Sequence, residues 1–161
     1  MVNTAADQGT LPEKYRMLNR QLDALLEGET NTTANLSNAA ALLHDFLDDV
    51  NWTGFYLEQE GGLVLGPFQG LPACVRIAFG KGVCGTAAAE KRTQRVDDVH
   101  AFPGHIACDA ASNSEIVIPL FHNGEVFGVL DIDSPVHSRF TEEDQEGLEA
   151  FADTLQNHLN R

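Results

Sequence analysis

Residues 115–133, EIVIPLFHNGEVFGVLDID, carry a clear signal for the fold. Two runs rich in β-branched and aromatic residues flank the polar sequence HNG at 122–124. This composition predicts two neighbouring antiparallel strands joined by a hairpin. We expect a three-residue loop in which Gly124 is left-handed and Phe121 pairs with Glu125.

The register of this hairpin determines which acidic side chains meet. Asp131 and Asp133 are two residues apart on one strand, so they share a face. A three-residue loop sets Glu115 opposite Asp131, whereas a two-residue Asn-Gly turn would put Glu115 on the other face. Three neighbouring acids could bind an ammonium group, and their mutual repulsion would leave one carboxyl protonated for donation. The alternative is that Asp133 caps the following turn and Asp131 points to water.

The rest of the chain supplies four helices and four more strands. Capping residues and helical spacing predict helices that begin at Thr10, at Asn31 or Thr32, and at Thr141. The first has an apolar stripe that includes Leu22 and Leu25. The remaining predicted segments are strands at 51–58, 63–68, 73–79 and 94–99 and a short helix at 83–91.

The order ααβββαβββα predicts an α+β fold, in which an antiparallel six-stranded sheet is covered by segregated helices. A chain of 161 residues fits one domain. We expect residues 1–10 to be a variable N-terminal tail and residues 11–161 to form the single domain.

The charge excludes two classes of partner. The chain carries a formal net charge of -14, which repels both nucleic acid backbones and anionic lipid surfaces. The first ten residues lack the basic start and apolar run of a secretion signal, and no stretch approaches a membrane span. We therefore expect a cytoplasmic protein that binds neither nucleic acid nor membrane.

Three widely spaced cysteines, Cys74, Cys84 and Cys108, are the candidate reactive groups. An odd number without a CxxC pair is unlike the disulfide framework of a small secreted domain. Cys84 follows a glycine turn at a predicted helix start, where the helix dipole favours a thiolate. Packing in the small-residue helix CGTAAA is the favoured explanation when Cys84 is taken alone. Cys74, at a strand start, is structural when taken alone.

Cys108 lies in a long irregular connection, residues 100–114, of a kind that is usually functional. His100 and His105 precede it, and such a polar setting can stabilise a thiolate. A buried, unreactive cysteine is the plain alternative. A zinc site from these three residues is disfavoured, because their spacing matches no closed structural set.

Gly80, Gly82 and Gly85 spell GxGxxG between a predicted strand and helix. The motif can cradle a dinucleotide pyrophosphate. A dinucleotide fold needs repeated parallel βαβ units, however, and this chain offers at most one. The glycines therefore predict a tight strand-to-helix turn.

Trp52, Gly54 and Tyr56 share one face of the first strand. Core packing is the usual fate of such residues. A slot at Gly54 between two aromatic walls, suited to a methyl or thioether group, is the alternative.

Together these segments resemble the free methionine-R-sulfoxide reductases, a family of GAF-domain proteins, from about residue 15 to 155. The matching motifs are NWTGFYL, LGPFQG, PACVRI, GKGVCG, VDDVHAFPGHIACD, SEIV and GVLDIDSP. The resemblance implies a GAF fold and reduction of the R-sulfoxide of free methionine, with no bound cofactor and no metal. One departure is Leu71, which stands where the family pattern leads us to expect lysine.

By position, the resemblance implies that Cys108 attacks the sulfoxide and that Cys74 and Cys84 recycle it. Glu115, Asp131 and Asp133 match the acids that bind substrate and donate the proton, and Trp52 and Tyr56 match the pocket for the methyl end. We expect Asp133 to be the donor and Glu115 to hold the ammonium group.

The implied cycle passes through a Cys108 sulfenic acid and a disulfide that thioredoxin or a similar dithiol reduces. Cys74–Cys108 is the expected disulfide, with Cys84–Cys108 as the alternative. The competing class is a ligand-sensing GAF module without catalysis, which we disfavour because no output domain fits after residue 161. The sequence leaves open whether the domain forms a homodimer.

Overall fold

The computed structural model describes residues 9–105 and 111–159. It contains a six-stranded sheet in which all neighbouring strands are antiparallel. The predicted order ααβββαβββα is confirmed, with one added 3₁₀ turn at Val99–Ala101. The helices are α1 (Leu11–Leu26), α2 (Thr32–Phe46), α3 (Gly82–Glu90) and α4 (Glu142–Leu159). The strands are β1 (Trp52–Gln59), β2 (Gly62–Gly70), β3 (Arg76–Ala78), β4 (Gln94–Val96), β5 (Ser114–His122) and β6 (Glu125–Ser134).

Side-chain caps fix the starts of the long helices, as their sequences predict. The hydroxyl of Thr10 accepts the backbone N–H of Glu13 at the start of α1. Asn31 caps α2 by accepting the N–H of Ala34 at 2.9 Å. Each bond satisfies one of the N–H groups that a helix start leaves without a partner.

Asp144 locks α4 to its neighbours. It forms a reciprocal cap with Thr141, and its carboxylate also accepts the Tyr15 hydroxyl of α1 at 2.7 Å and pairs with Arg139 at 3.3 Å. Asp144 is buried, so these donors supply the hydrogen bonds that a buried carboxylate requires.

Two apolar clusters cover the two faces of the sheet. Helices α1, α2 and α4 pack on one face around residues such as Phe55 and Ile116. The shorter α3 packs on the opposite face, with Trp52 and Val117. The expected burial of Leu25 is wrong, since this side chain lies at the edge of the α1 stripe and is 46% exposed.

The strand order is β3-β2-β1-β6-β5-β4, so β1, β6 and β5 lie side by side in the middle of the sheet. The outer strands are shorter than predicted. The segment 73–79 keeps only three strand residues because β3 pairs with β2 alone at the sheet edge. The segment 94–99 ends at Val96 and turns into the 3₁₀ helix.

The predicted three-residue hairpin loop is wrong. His122 pairs with Glu125, which leaves a two-residue turn of Asn123 and Gly124. Both turn residues have positive φ, at 52° and 80°, the conformation that a type I′ Asn-Gly turn requires.

A β-bulge places Glu115 on the same face of the sheet as the two aspartates in spite of the two-residue turn. The register shifts between Leu120 and Phe121, which adds one residue to the β6 side. Glu115 therefore pairs with Asp133 instead of the predicted Asp131. The predicted meeting of the three acids on one face is nevertheless confirmed.

None of the helices within residues 9–105 and 111–159 is long and apolar enough to cross a membrane.

Candidate active site

The central strands bring the site residues together in two rows. Trp52 on β1 pairs with Asp133 on β6, which pairs with Glu115 on β5. One step along the same face, Gly54 pairs with Asp131. All of these positions face α3, and a pocket lies between this face and the start of that helix. Its lining comprises Trp52, Tyr56, Pro72, Ala73, Ile77, Lys81, Gly82, Val83, Cys84, His105, Ser112, Glu115, Asp131 and Asp133.

The glycine turn before α3 lets the helix start approach the sheet closely. The backbone N–H of Gly80 donates to the carbonyl of Gly85 at 2.8 Å. A side chain at Gly85 would overlap the carbonyl of Ala78. The predicted tight turn is confirmed, and it carries Lys81 and Cys84 to the pocket wall.

The acids are held in an environment that favours protonation. Glu115 is 7% exposed and Asp131 is 5% exposed. Burial raises the pKa of the Glu115 carboxyl well above its ordinary value, and the charges of Asp131 and Asp133 raise it further. Burial also raises the pKa of Asp131, while hydrogen bonds from Glu115 and Cys84 oppose that rise. A proton therefore resides preferentially on Glu115, which donates to the neighbouring carboxylate.

The two cysteines that the structure describes differ in whether they form a disulfide. Cys74 is disulfide-bonded and lies in the loop before β3, where its predicted place at a strand start is wrong. Cys84 is a free, buried thiol in the first turn of α3. Burial raises the pKa of the Cys84 thiol, and the neighbouring acids raise it further. Cys108, the predicted nucleophile, lies outside the described residues.

An aromatic wall closes one side of the pocket. Trp52 stacks on Tyr56 and on Phe68, with ring centroids 5.9 and 5.1 Å apart. The Trp52 indole N–H donates to the carbonyl of Leu71 at 3.1 Å, and the Tyr56 hydroxyl donates to the carbonyl of Cys74 at 2.8 Å. The wall thus anchors the loop that carries Cys74.

The predicted slot at Gly54 is filled. A side chain at Gly54 would overlap Phe68, which pairs with it from β2. Trp52 and Tyr56 still line the pocket, and Phe68 stacks on Trp52.

The two histidines lie near each other beside the pocket mouth. Their rings are 6.0 Å apart in an edge-to-face arrangement. His105 lines the pocket, and partial burial together with His100 lowers the pKa of its imidazole. The lowered pKa favours the neutral form of His105 at pH 7. The His100 ring contacts the side-chain oxygen of Asn113 at 3.1 Å.

Sequence reasoning missed several lining residues. Ser112 lies in the connection already singled out as functional, and its hydroxyl accepts the Asn51 side-chain amide at 3.3 Å. Lys81 lies within the GxGxxG motif, but nothing in the sequence indicated that it would line the pocket. Ile77 carries no signal that separates it from ordinary core residues.

The raised pKa of Glu115 predicts a pH-dependent gain of stability when this acid is replaced. The folded-state pKa lies above the ordinary value of 4.5, so the folded state binds the extra proton. The associated stability is lost as pH rises from about 4.5 through the raised pKa. Glu115→Gln removes this loss and should melt above the parent by a margin that grows from pH 5 to pH 8. Each pKa unit is worth about 1.4 kcal/mol, which corresponds to about 3–6 °C in melting temperature for a chain of this size.

The matched control is Glu58→Gln, which alters an exposed acid on β1. Thermal melts of the parent and both variants at the two pH values make the comparison. A difference in melting temperature between Glu115→Gln and the parent that stays constant or shrinks as pH rises would contradict the raised pKa of Glu115.

The fold and the family model agree on the class of protein. The model of the GAF domain matches residues 21–159, which is most of the chain. The central antiparallel sheet with helices on both faces is therefore a GAF domain.

Similar proteins of known activity identify the family within the GAF-domain class. The free methionine-R-sulfoxide reductase of Escherichia coli (strain K12) is 57% identical over 147 residues, covering 91% of this chain and 89% of the relative. The substrate complex of fRMsr from Staphylococcus aureus is 54% identical with a TM-score of 0.87, covering 90% of this chain and 95% of that one. The free methionine-R-sulfoxide reductase of Neisseria meningitidis, also in complex with its substrate, is 42% identical with a TM-score of 0.91 and covers 98% of this chain and 95% of that one. This chain belongs to the family of GAF-domain free methionine-R-sulfoxide reductases.

Proposed function

We propose that residues 11–161 form one catalytic domain that reduces free L-methionine-R-sulfoxide to methionine. The observation that carries the proposal is the cluster of Glu115, Asp131 and Asp133 on the central strands, which faces a free thiol and an aromatic wall. Glu115 and Asp131 are buried, and Asp133 is partly buried. It offers carboxylates to a substrate ammonium group and a protonated acid to a leaving oxygen. The family membership and the cysteine content favour this enzyme over a sensing module.

The proposed reaction begins when the Cys108 thiolate attacks the sulfoxide sulfur. A protonated acid delivers its proton to the sulfoxide oxygen, and in the resulting adduct this oxygen moves from the methionine sulfur to the Cys108 sulfur as the bond between the two sulfurs breaks. Methionine leaves, and Cys108 carries a sulfenic acid. A second thiol then displaces water to form a disulfide. The net change converts one sulfoxide and two thiols to one methionine, one disulfide and one water.

We assign the proton donor to Glu115 in place of Asp133. Burial and two acidic neighbours raise the pKa of the Glu115 carboxyl well above its ordinary value, so Glu115 keeps its proton to higher pH than an exposed glutamate does. The carboxylate of Asp131 is then free to accept the ammonium group, since its Oδ1 accepts no hydrogen bond from the described residues.

We assign the first resolving role to Cys74. Its participation in a disulfide and the free state of Cys84 support Cys74 as the partner of Cys108 in this proposal. A dithiol such as thioredoxin would regenerate the thiols by exchange. The reducing cytoplasm supplies such dithiols, so we place the enzyme there.

The test of this function is an activity assay on matched substrates. Free L-methionine-R-sulfoxide should be reduced far faster than the S epimer, or than an N-acetylated form that lacks the ammonium charge. A thioredoxin-coupled assay that follows reductant consumption measures all three rates. Equal rates on the free and blocked substrates would contradict the role of the acids.

Cys74→Ser should separate the first turnover from recycling. One methionine per chain should still form, because the attacking thiol is intact, but thioredoxin-coupled turnover should fall at least about tenfold through loss of the disulfide step. Cys84→Ser is the matched control and should retain more of the coupled rate. Full coupled activity in Cys74→Ser together with its loss in Cys84→Ser would reverse the assignment.

A further inference from the structure

A second kind of ligand fits the cluster formed by Cys84, Glu115 and Asp131. The sulfur and one oxygen from each acid all lie within 4.8 Å of one another, and all three residues are buried. The Cys84 sulfur is 3.9 Å from Glu115 Oε2. Ligands in a tetrahedral zinc site are about 3.4–3.6 Å apart, given the usual bond lengths. Small side-chain rotations would therefore bring these atoms to coordinating distances.

The cluster also contains an acceptor that lacks a donor. Asp131 is 5% exposed, and its Oδ1 accepts no hydrogen bond within residues 9–105 and 111–159. None of the ion pairs of the described residues involves Glu115 or Asp131. A buried acceptor without a partner costs free energy, and a cation would satisfy it.

The mixture of sulfur and oxygen selects the class of metal. Calcium and magnesium take oxygen ligands and gain little from a thiol. Zinc accepts both cysteine sulfur and carboxylate oxygen and completes its tetrahedron with water. Coordination would transfer the protons of the Cys84 thiol and the Glu115 carboxyl to solvent.

We propose that the protein binds Zn²⁺ through Cys84, Glu115 and Asp131, and that the bound metal occupies the place of the substrate's ammonium group. Zinc is then a reversible inhibitor that competes with substrate. Metal binding itself is independent of the proposed reaction, and only the inhibition rests on it.

The binding test uses the full chain with Cys74 in its disulfide, so that alkylation should find one free thiol per chain, at Cys84. Added Co²⁺ should produce a thiolate-to-metal charge-transfer band, and one equivalent of Zn²⁺ should remove it. Cys84→Ser should lose the band. Glu115→Gln and Asp131→Asn should weaken Zn²⁺ binding by roughly 10- to 100-fold or more, the loss found even when only outer partners of a metal are removed.

The controls separate coordination from damage to the fold. Glu58→Gln, on the exposed part of β1, should bind Zn²⁺ like the parent, and circular dichroism melts should show that every variant is folded. A charge-transfer band that persists in folded Cys84→Ser, or Zn²⁺ affinity unchanged in both acid variants, would overturn the site.

The inhibition test adds L-methionine-R-sulfoxide to the Co²⁺-loaded protein. Substrate should displace the metal, and Zn²⁺ should raise the apparent substrate constant without lowering the maximal rate. A charge-transfer band without reductase activity would leave the metal site standing and refute the proposed function instead. Zn²⁺ and substrate bound together would overturn the claim that they share one place.

Discussion

Cys108→Ser should abolish methionine release even in a single turnover. A serine hydroxyl is not appreciably ionised near neutral pH and is a far weaker nucleophile than a thiolate, so no sulfenic acid can form. The measurement mixes reduced protein with excess R-sulfoxide, without a recycling dithiol, and quantifies methionine by chromatography.

Two matched variants make this result specific. Cys74→Ser and Cys84→Ser each remove one thiol but keep Cys108, and each should still release methionine in the first turnover. Undiminished methionine release from Cys108→Ser would move the nucleophile to one of these two residues.

Glu115→Gln should slow the first turnover by roughly 10²- to 10⁴-fold, the range typical of general acid catalysis. The sulfoxide oxygen leaves poorly without a proton, and glutamine keeps the size of the side chain but has no acidic proton to give. Because this variant should also be more stable than the parent at neutral pH, loss of folding cannot account for the loss of rate. Rapid-quench measurement of methionine formation at saturating substrate gives the rate.

Asp131→Asn is the comparison for Glu115→Gln. It removes an ammonium contact, so it should mainly raise the substrate concentration needed for half-maximal rate. In the parent, the step that needs the acid should slow as pH rises through the raised pKa of Glu115, because the donor is then deprotonated. A normal first turnover in Glu115→Gln would transfer the donor role to Asp133, Asp131 or the neutral His105.

Local chemistry made the helices and the order of helices and strands along the chain predictable. Thr10 and Asn31 are capping residues, and a cap needs only its own few neighbours to act. The alternation of VLDID likewise placed Asp131 and Asp133 on one face, because side-chain direction in a strand follows from sequence spacing alone.

The hairpin shows where local reasoning failed. Asn123 and Gly124 form a two-residue turn. The sequence predicts a three-residue loop instead, because in a regular ladder the two-residue turn would separate Glu115 from the aspartates. The bulge near Leu120 adds one residue to the β6 side of the ladder and so removes that conflict.

The pocket wall could not be predicted from the sequence, because it is formed by contacts between residues distant in sequence. Phe68 fills the gap at Gly54 because β2 lies beside β1. Trp52 and Tyr56 donate hydrogen bonds to two carbonyls of the loop that carries Cys74. Such contacts join segments about 20 residues apart. The sequence therefore identified Cys74 as a candidate but could not predict its position in a loop beside the pocket.

The most direct test of the account is a stoichiometric single turnover. Fully reduced protein is mixed with free L-methionine-R-sulfoxide without any dithiol, and methionine, remaining thiols and disulfide-linked peptides are measured on the same sample. One methionine should be released and two thiols lost per chain, with Cys74 and Cys108 recovered in one linked peptide. Methionine release without loss of thiols, or no methionine at all, would contradict the account.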